Sequence, residues 1–292
     1  MRGSGIPHTL GNLKKNGSQI KRVGNKAIKK IKTKILIFMV TIKLYNEMSF
    51  LINLSLIMSK IQNLSVFFPA YNEEGNIKST VEKAKKVLLK IATNWEVIIV
   101  NDGSKDKTEE ISKSLVKSDK RIKLITHNPN QGYGGALKSG LYNSKYDWIA
   151  FTDSDGQFDF AEIVNFIEKQ SQTQADLVVG YYKKRQVSNF KILTSKMWEL
   201  AVFVLFDLKV HDIDCGFKFI SKTVVDKIPK LESERGAFIS SEFLIKAKKA
   251  GFKIVEIPVT HYPRTKGAGT GRNLDVIIKS FVDLFKLWQK IH

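Results

Sequence analysis

An α/β fold with a mainly parallel central sheet and helices on both faces is predicted from about Leu64 onward. Two observations predict it: short β-rich runs alternate with amphipathic helical runs, and acidic, turn-forming residues follow the β-rich runs. The composition permits it, because 292 residues at 43% apolar content can fill the core of a large domain.

Taken in order, the runs Ser65–Phe68, Glu96–Val100, Ile122–Thr126, Trp148–Thr152 and Leu177–Gly180 are rich in β-branched and aromatic residues and read as strands. Between them, Ile77–Leu89, Thr108–Val116, Gly134–Asn143 and Ala161–Glu168 space their apolar residues at i, i+3 and i+4 and read as helices. In doubly wound sheets ligands gather beyond the carboxyl ends of the strands, so the residues just after each strand are the candidates for chemistry. Farther on, Leu274–Ile291 places Ile277, Phe281, Leu284, Phe285 and Trp288 on one helical stripe, with Asp275, Lys279, Asp283 and Lys290 largely off it. Such a helix suits a membrane interface, or packing back on its own core or on a second subunit. The organisation expected is an extension over 1–63, an α/β domain over 64–272 and an amphipathic helix over 273–292.

The extension differs in texture. Residues 1–34 show no steady period and are expected to be disordered. Ile35 to Met58 is apolar but interrupted by Lys43 and Glu47, short of the roughly 18 clean residues a spanning helix needs. Residues 1–57 are expected to be dispensable, with Met58 as a candidate start. Residues 1–60 hold 12 Lys/Arg against the single acid Glu47, so more than half of the net charge of +20 lies outside the expected enzyme. That distribution argues against nucleic acid as a partner and fits an anionic ligand or membrane surface. A lone cysteine, Cys215, excludes an internal disulfide framework and fits a reducing compartment, so the expected location is cytoplasmic, peripheral at the membrane face.

Three strand-end motifs carry chemistry. Pro69-Ala70-Tyr71-Asn72-Glu73-Glu74 follows the first strand and Asn101-Asp102-Gly103-Ser104 the second. Carboxylates there can accept from a base N–H or a ribose hydroxyl, while Pro69 and Tyr71 offer flat apolar surface to a ring; a plain turn and a favourably charged helix start are the alternative. After the fourth strand stands Thr152-Asp153-Ser154-Asp155-Gly156-Gln157. Carboxylates at i and i+2 in extended backbone can share one Mg²⁺ or Mn²⁺, which takes its other ligands from phosphate and water, and Gln157 can add a neutral oxygen. Asp155 is expected to be exposed. No phosphate-binding Gly-rich loop of known spacing occurs, and Gly132-Tyr133-Gly134-Gly135 is read as close backbone approach at a helix start.

Together with Asn130-Gln131-Gly132-Tyr133-Gly134-Gly135-Ala136 and Asp214-Cys215-Gly216-Phe217-Lys218, these motifs make the stretch from Ser65 to Gly267 resemble glycosyltransferase family 2, and within it the polyprenyl-phosphate (dolichol-phosphate) sugar synthases. The resemblance implies a GT-A fold, a UDP- or GDP-hexose donor, a polyprenyl phosphate acceptor, and metal-dependent transfer with inversion. It implies Asp102 at the base, Glu73 near the ribose, Asp153, Asp155 and Gln157 at the metal, Arg264 at the donor pyrophosphate, Arg185 at the acceptor phosphate and Glu242 facing the sugar. The bland alternatives are a solvated arginine at 185 and a helix-start carboxylate at 242. An anionic phosphate acceptor needs no general base, and no confident base is evident: His127, His211 and His261 read as structural or surface residues. The competing functions are a family 2 enzyme using a glycan or glycolipid hydroxyl, and a non-catalytic nucleotide-sugar-binding protein or nucleotidyltransferase.

Overall fold

The computed structural model describes residues 60–183, 189–233, 238–264 and 274–291, and four helical residues near the N-terminus, Phe38, Met39, Thr41 and Lys43. The expectations for the rest of the extension, for Arg185 and for the glycine-rich segment after Arg264 lie outside the described residues. Residues 57–292 form one compact unit and residues 1–56 another.

Within the larger unit, seven strands form one sheet in the order β3-β2-β1-β4-β6-β5-β7. They are β1 (Ile61–Ala70), β2 (Ala92–Asn101), β3 (Ile122–Thr126), β4 (Trp148–Phe151), β5 (Leu177–Tyr182), β6 (Lys218–Ser221) and β7 (Ile254–Val259). All adjacent pairs are parallel except those made by β6, which runs against both β4 and β5. The helices are α1 (Ile77–Ile91), α2 (Thr108–Ser118), α3 (Gly132–Asn143), α4 (Ile163–Thr173), α5 (Asn189–Phe206), α6 (Lys222–Lys227), α7 (Phe238–Lys249) and α8 (Leu274–Ile291). Every strand and helix read from the alternating pattern is present, most of them a few residues longer than the pattern indicated.

Side-chain alternation divides the core in two. Leu64, Val66 and Phe68 of β1 join Val97 and Ile99 of β2 beneath Ile77, Val81, Ala84 and Leu88 of α1. The intervening Phe67, Ile98 and Val100 face the other way, into a second core with α3, α5, α7 and α8. Strands buried on both faces read as continuous apolar runs, which is why β1 and β2 were legible. Phe67 of β1 stacks on Phe151 of β4, ring centroids 4.8 Å apart, and fixes the centre of the sheet.

Two strands and two helices showed neither in the sequence pattern nor through the resemblance, which had already placed Glu242 on a helix. β6 has only four residues and opens on Lys218, while β7 contains Pro258 and lies at the sheet edge, the position where proline is tolerated. Helix α5 is apolar on nearly all sides and so lacks a period, and α6 is a short turn after β6. The expected stripe of α8 divides: Leu284 is buried with Leu287, whereas Phe281 and Phe285 are exposed. α8 therefore packs on the domain's own core through one part of its apolar surface only.

Cys215 is fully buried, and burial pushes its thiol up to about 12. A thiol reagent is expected to leave the native protein unmodified at neutral pH and to label it once denatured; labelling of the native protein at the rate of a free thiol would contradict this placement.

Candidate active site

The motifs converge at the carboxyl ends of β1, β2 and β4. The loops after β1 and β2 interlock: Asn72 N–H donates to Ser104 Oγ at 3.0 Å, Lys105 N–H to Asn72 Oδ1 at 2.8 Å, Glu73 N–H to Thr108 Oγ1 at 2.8 Å, and Glu74 N–H to Asp106 Oδ2 at 3.0 Å. Ser154 Oγ donates to the Pro69 carbonyl at 2.6 Å and ties the loop after β4 to the end of β1. Gly103 makes the sharp turn possible. Its φ is +68°, and a Cβ there would stand 2.9 Å from the Asn130 backbone nitrogen.

Asp102 is buried at the end of β2. Its Oδ1 accepts from Gln131 N–H at 2.8 Å and is bonded to His127 Nδ1 at 2.7 Å, while His127 Nε2 lies 2.8 Å from Ser139 Oγ. His127 thus has a structural role, orienting Asp102 from the far side. Tyr71 is exposed on the loop just after β1, and Pro69 lies within β1 itself.

Asp153 sits just past β4, enclosed on three sides. Tyr133 O–H donates to its Oδ1 at 2.9 Å. Gly216 lies against its other oxygen, where an added Cβ would come within 2.4 Å of Oδ2. Lys218, buried in β6, donates to the Ile213 carbonyl at 3.3 Å and to the Cys215 carbonyl, and so holds the turn that carries Gly216. Burial first, and the neighbouring Asp155 second, raise the Asp153 carboxyl from 3.8 to about 6.

Asp155 was expected to be exposed; its side chain is only 15% accessible. The turn after β4 folds it inward, with Gln157 N–H donating to its Oδ1 at 3.0 Å and Arg264 Nη1 4.0 Å from Oδ2. Gln157 is tethered in turn by Nε2 to the Tyr262 carbonyl at 3.0 Å. Glu73, also buried, accepts from Asn76 Nδ2 at 2.7 Å and pairs with the Arg264 guanidinium. Desolvation raises the Glu73 carboxyl above its usual value despite that arginine. The structure therefore gathers Glu73, Asp153, Asp155, Gln157 and Arg264, with Asp102 at the adjoining strand end.

Glu242 is used differently. Both of its oxygens are engaged: by Lys246 Nζ at 2.6 Å, Ser233 Oγ at 2.6 Å, and the N–H groups of Glu232 and Ser233 at 2.8 and 2.9 Å. It lies in the second turn of α7, from where its side chain reaches back to fix residues 231–233. That anchoring is the contact the geometry gives it among the described residues. Tyr133, Gly216 and Lys218 were quoted only as parts of motifs. A lone cation in the run Phe217-Lys218-Phe219-Ile220 was the available sign of a buried charge with a task.

A divalent cation fits this centre. Desolvation, and after it the charge of Asp155, hold the Asp153 carboxyl up, and a cation between the two carboxylates would relieve both costs. Among the described residues no group of three or more His, Cys, Asp and Glu could hold a metal ion by itself; a Mg²⁺ or Mn²⁺ ion on two carboxylates takes its other ligands from phosphate and water. The pH dependence follows from the sign of the shift. The raised Asp153 carboxyl favours the fold when protonated, so its contribution is complete below about 4 and is lost as pH rises through about 6. Mn²⁺ competes with that proton, so thermal stabilisation by Mn²⁺ is expected to be small near pH 5 and to grow through about 6. Equal stabilisation at both ends of the range would exclude Asp153 as a ligand.

Comparisons with known proteins agree with this geometry. The profile described as glycosyl transferase family 2 matches residues 65–229. The glycosyltransferase AglD of Haloferax volcanii is 28% identical over 207 residues, 69% of this chain and 33% of that protein. The dolichyl-phosphate beta-glucosyltransferase of Dictyostelium discoideum is 31% identical over 214 residues, 67% of this chain and 65% of that protein. The chain thus spans about a third of one relative and just under two thirds of the other. Among solved structures, glucosyl-3-phosphoglycerate synthase from Mycobacterium tuberculosis, in complex with Mn²⁺, uridine diphosphate and glucosyl-3-phosphoglycerate, superposes with a TM-score of 0.60 at 19% identity, over 80% of this chain and 81% of that one. With a profile match over more than half of its length, and the sheet and strand-end site in place, the chain belongs to glycosyl transferase family 2 and carries the GT-A fold.

Proposed function

We propose that the chain transfers a hexose from a nucleoside-diphosphate hexose, UDP- or GDP-linked, to a polyprenyl phosphate, with inversion at the anomeric carbon. The observation that carries the reading is Asp153, half-buried beside Asp155, backed by Gly216 and Tyr133, with its carboxyl held up to about 6. When bound, Mg²⁺ or Mn²⁺ held by Asp153 and Asp155 supplies Lewis-acid neutralisation of the departing diphosphate. Gln157 stands ready to add a neutral oxygen.

The remaining roles fall to the chain's own groups. Asp102, held by His127 and Gln131, accepts from the base, and Tyr71 offers its exposed ring to it. Glu73 reaches the ribose, and Arg264 exchanges its carboxylate partners for the donor pyrophosphate. An acceptor phosphate oxygen attacks the anomeric carbon as the bond to the diphosphate breaks. That oxygen is already anionic, so no proton must be removed, and Arg185 would position it by a charge-assisted, two-pronged contact. The histidines support this economy: His127 is tied to Asp102, His211 to Glu256, and His261 packs against Phe158 and Tyr182. The names of several relatives, dolichyl-phosphate beta-glucosyltransferase among them, support the acceptor class. Among the described residues no helix is long and apolar enough to cross a membrane.

The test is transfer of radiolabelled hexose from UDP- and GDP-sugars with Mn²⁺, offered polyprenyl phosphate and hydroxyl-bearing glycans side by side. Label in the lipid phosphate fraction is expected. Label in the glycan alone replaces the acceptor, and binding of the donor without any transfer replaces the enzyme reading. Arg185→Ala should weaken prenyl phosphate use by about one to two decades while leaving the donor constant nearly unchanged.

A further inference from the structure

Asp102 has one oxygen to offer an incoming base, and His127 is the reason. The backbone of Asp102 is pinned on both sides: its N–H donates to the Ala70 carbonyl at 2.9 Å, and its carbonyl accepts from Asn130 Nδ2 at 2.6 Å. Every contact that the described residues make with its carboxylate falls on Oδ1, from Gln131 N–H at 2.8 Å and from His127 Nδ1 at 2.7 Å. A carboxylate oxygen has two lone pairs, so Oδ1 is filled. Oδ2 accepts from no described residue and still reaches solvent, in a side chain otherwise only 5% accessible. The donor on His127 is itself fixed. A carboxylate only accepts, so Nδ1 carries the proton, and Nε2 accepts from the Ser139 hydroxyl at 2.8 Å. The imidazole is buried between them, and its backbone N–H donates to the Asn101 carbonyl at 2.9 Å.

The bases differ in what they ask of such a group. Guanine presents two parallel donors, N1–H and the N2 amino group, which a carboxylate meets with both oxygens. Uracil presents a single imide N–H between two carbonyls. It needs one acceptor, and a second bare anionic oxygen would face one of those carbonyls and repel it. Cytosine has a lone pair where uracil has the N–H, and so meets any carboxylate badly. With Oδ1 quenched by two N–H donors and Oδ2 open, Asp102 suits the imide edge. Ring surface lies close by: Ala70 is the register partner of Asn101, so the exposed Tyr71 and Asp102 leave neighbouring strands at the same level.

We propose that His127, by filling Oδ1, makes Asp102 a single-acceptor contact that selects an imide base and refuses guanine. Of the two donors considered above, that is the uridine one. This selection rests on the reading above, in which Asp102 meets the base, and adds which base it is and which residue chooses it. His127 acts through Asp102 and is a positioning residue.

The test is calorimetric titration of the full chain, with Mn²⁺ present and no acceptor, by UDP, GDP, CDP and N3-methyl-UDP. UDP is expected to bind roughly tenfold or more tighter than the other three, the scale of one hydrogen bond to a charged acceptor. His127→Phe keeps a flat ring but releases Oδ1, and should cut the preference for UDP over GDP by roughly tenfold. His127→Asn should keep most of the preference, because its Nδ2 stands where Nδ1 stood and can still donate to Oδ1. Melting temperatures of both variants are taken alongside. A role in stability alone would lower the melting temperature of His127→Phe and leave its UDP-to-GDP ratio at the wild-type value, and that result overturns the proposal. So does loss of the preference in His127→Asn as complete as in His127→Phe. Asp102→Ala separates the selection from the reading beneath it. If wild type binds GDP or N3-methyl-UDP as tightly as UDP and Asp102→Ala weakens them all, the base contact stands and selection by His127 falls. If Asp102→Ala binds UDP like wild type, or no nucleotide binds wild type, the base contact itself falls and the selection with it.

Discussion

Asp155→Asn is expected to lower kcat/KM for sugar transfer by about 10²- to 10³-fold, the usual effect of removing one group that stabilises charge in the transition state. The substitution is close to isosteric, and an asparagine oxygen can still accept the Gln157 N–H that now fixes the turn, so the fold is expected to melt at or slightly above the wild-type temperature. Stability does not suffer because Asp155 is a source of repulsion in the free site, as the raised Asp153 carboxyl records. The same variant should need much more Mn²⁺ for half-maximal activity, and EDTA should silence the wild type. Turnover that survives both the substitution and EDTA would remove the cation from the proposed reaction. A large loss of stability would instead mean that Asp155 is a structural residue.

Glu242→Ala is expected to act on stability, at about 3 kcal/mol, because it leaves Lys246 in the core with only the Lys230 carbonyl at 2.6 Å and the Glu232 carboxylate at 3.8 Å to meet its charge. The pair is deeply enclosed, with side-chain accessibilities of 2% for Glu242 and 5% for Lys246, so solvent offers little relief. For a domain of this size each kcal/mol moves the melting temperature by roughly 2–4 °C, so a fall of about 6–12 °C should be seen by calorimetry. Replacing both partners with apolar residues of similar volume, Glu242→Leu with Lys246→Met, should recover much of the loss, although the N–H groups of Glu232 and Ser233 then lack their acceptor. The readout that separates anchoring from a sugar contact is Glu242→Gln. Gln keeps an acceptor for those N–H groups, so under the anchoring role activity should track folded protein, whereas a direct contact with the sugar would lower kcat in protein that is fully folded.

Most of the sheet was legible because β1, β2, β4 and β5 are buried on both faces and announce themselves as unbroken apolar runs. What stayed hidden was hidden for physical reasons. Pro258 disguises β7, harmlessly, at a sheet edge; α5 has apolar residues toward the core and toward the outside and so shows no period. At the site, sequence order supplied the carboxylates but not their surroundings. Asp155 looked exposed because a turn of acids and glycine is usually solvated, and its enclosure by Arg264 comes from a residue far along the chain. Tyr133 and Lys218 reach Asp153 from a helix start and from a reversed strand, proximity that no local spacing encodes. Glu242 was noticed as an acid on a helix, yet its task is set by Lys246 one turn later, an i, i+4 pair that the sequence does contain.

The direction of β6 bears on how proteins built this way diversify. The chain departs from the sheet at Tyr182 and rejoins it at Lys218, and because β6 is reversed both points lie at the same end, the one that holds the carboxylates. The pairings Val179↔Lys218 and Phe151↔Lys218 clamp the point of return. Residues 183–217 are thus a detour with fixed ends, whose length and surface can be rewritten while the donor-side loops between Pro69 and Gln157 keep their mutual hydrogen bonds. Under the proposed reaction, in which Arg185 positions the acceptor, acceptor preference becomes a graftable trait: a new segment needs only to supply inward residues equivalent to Val202 and Phe206 and to bring Gly216 back against Asp153.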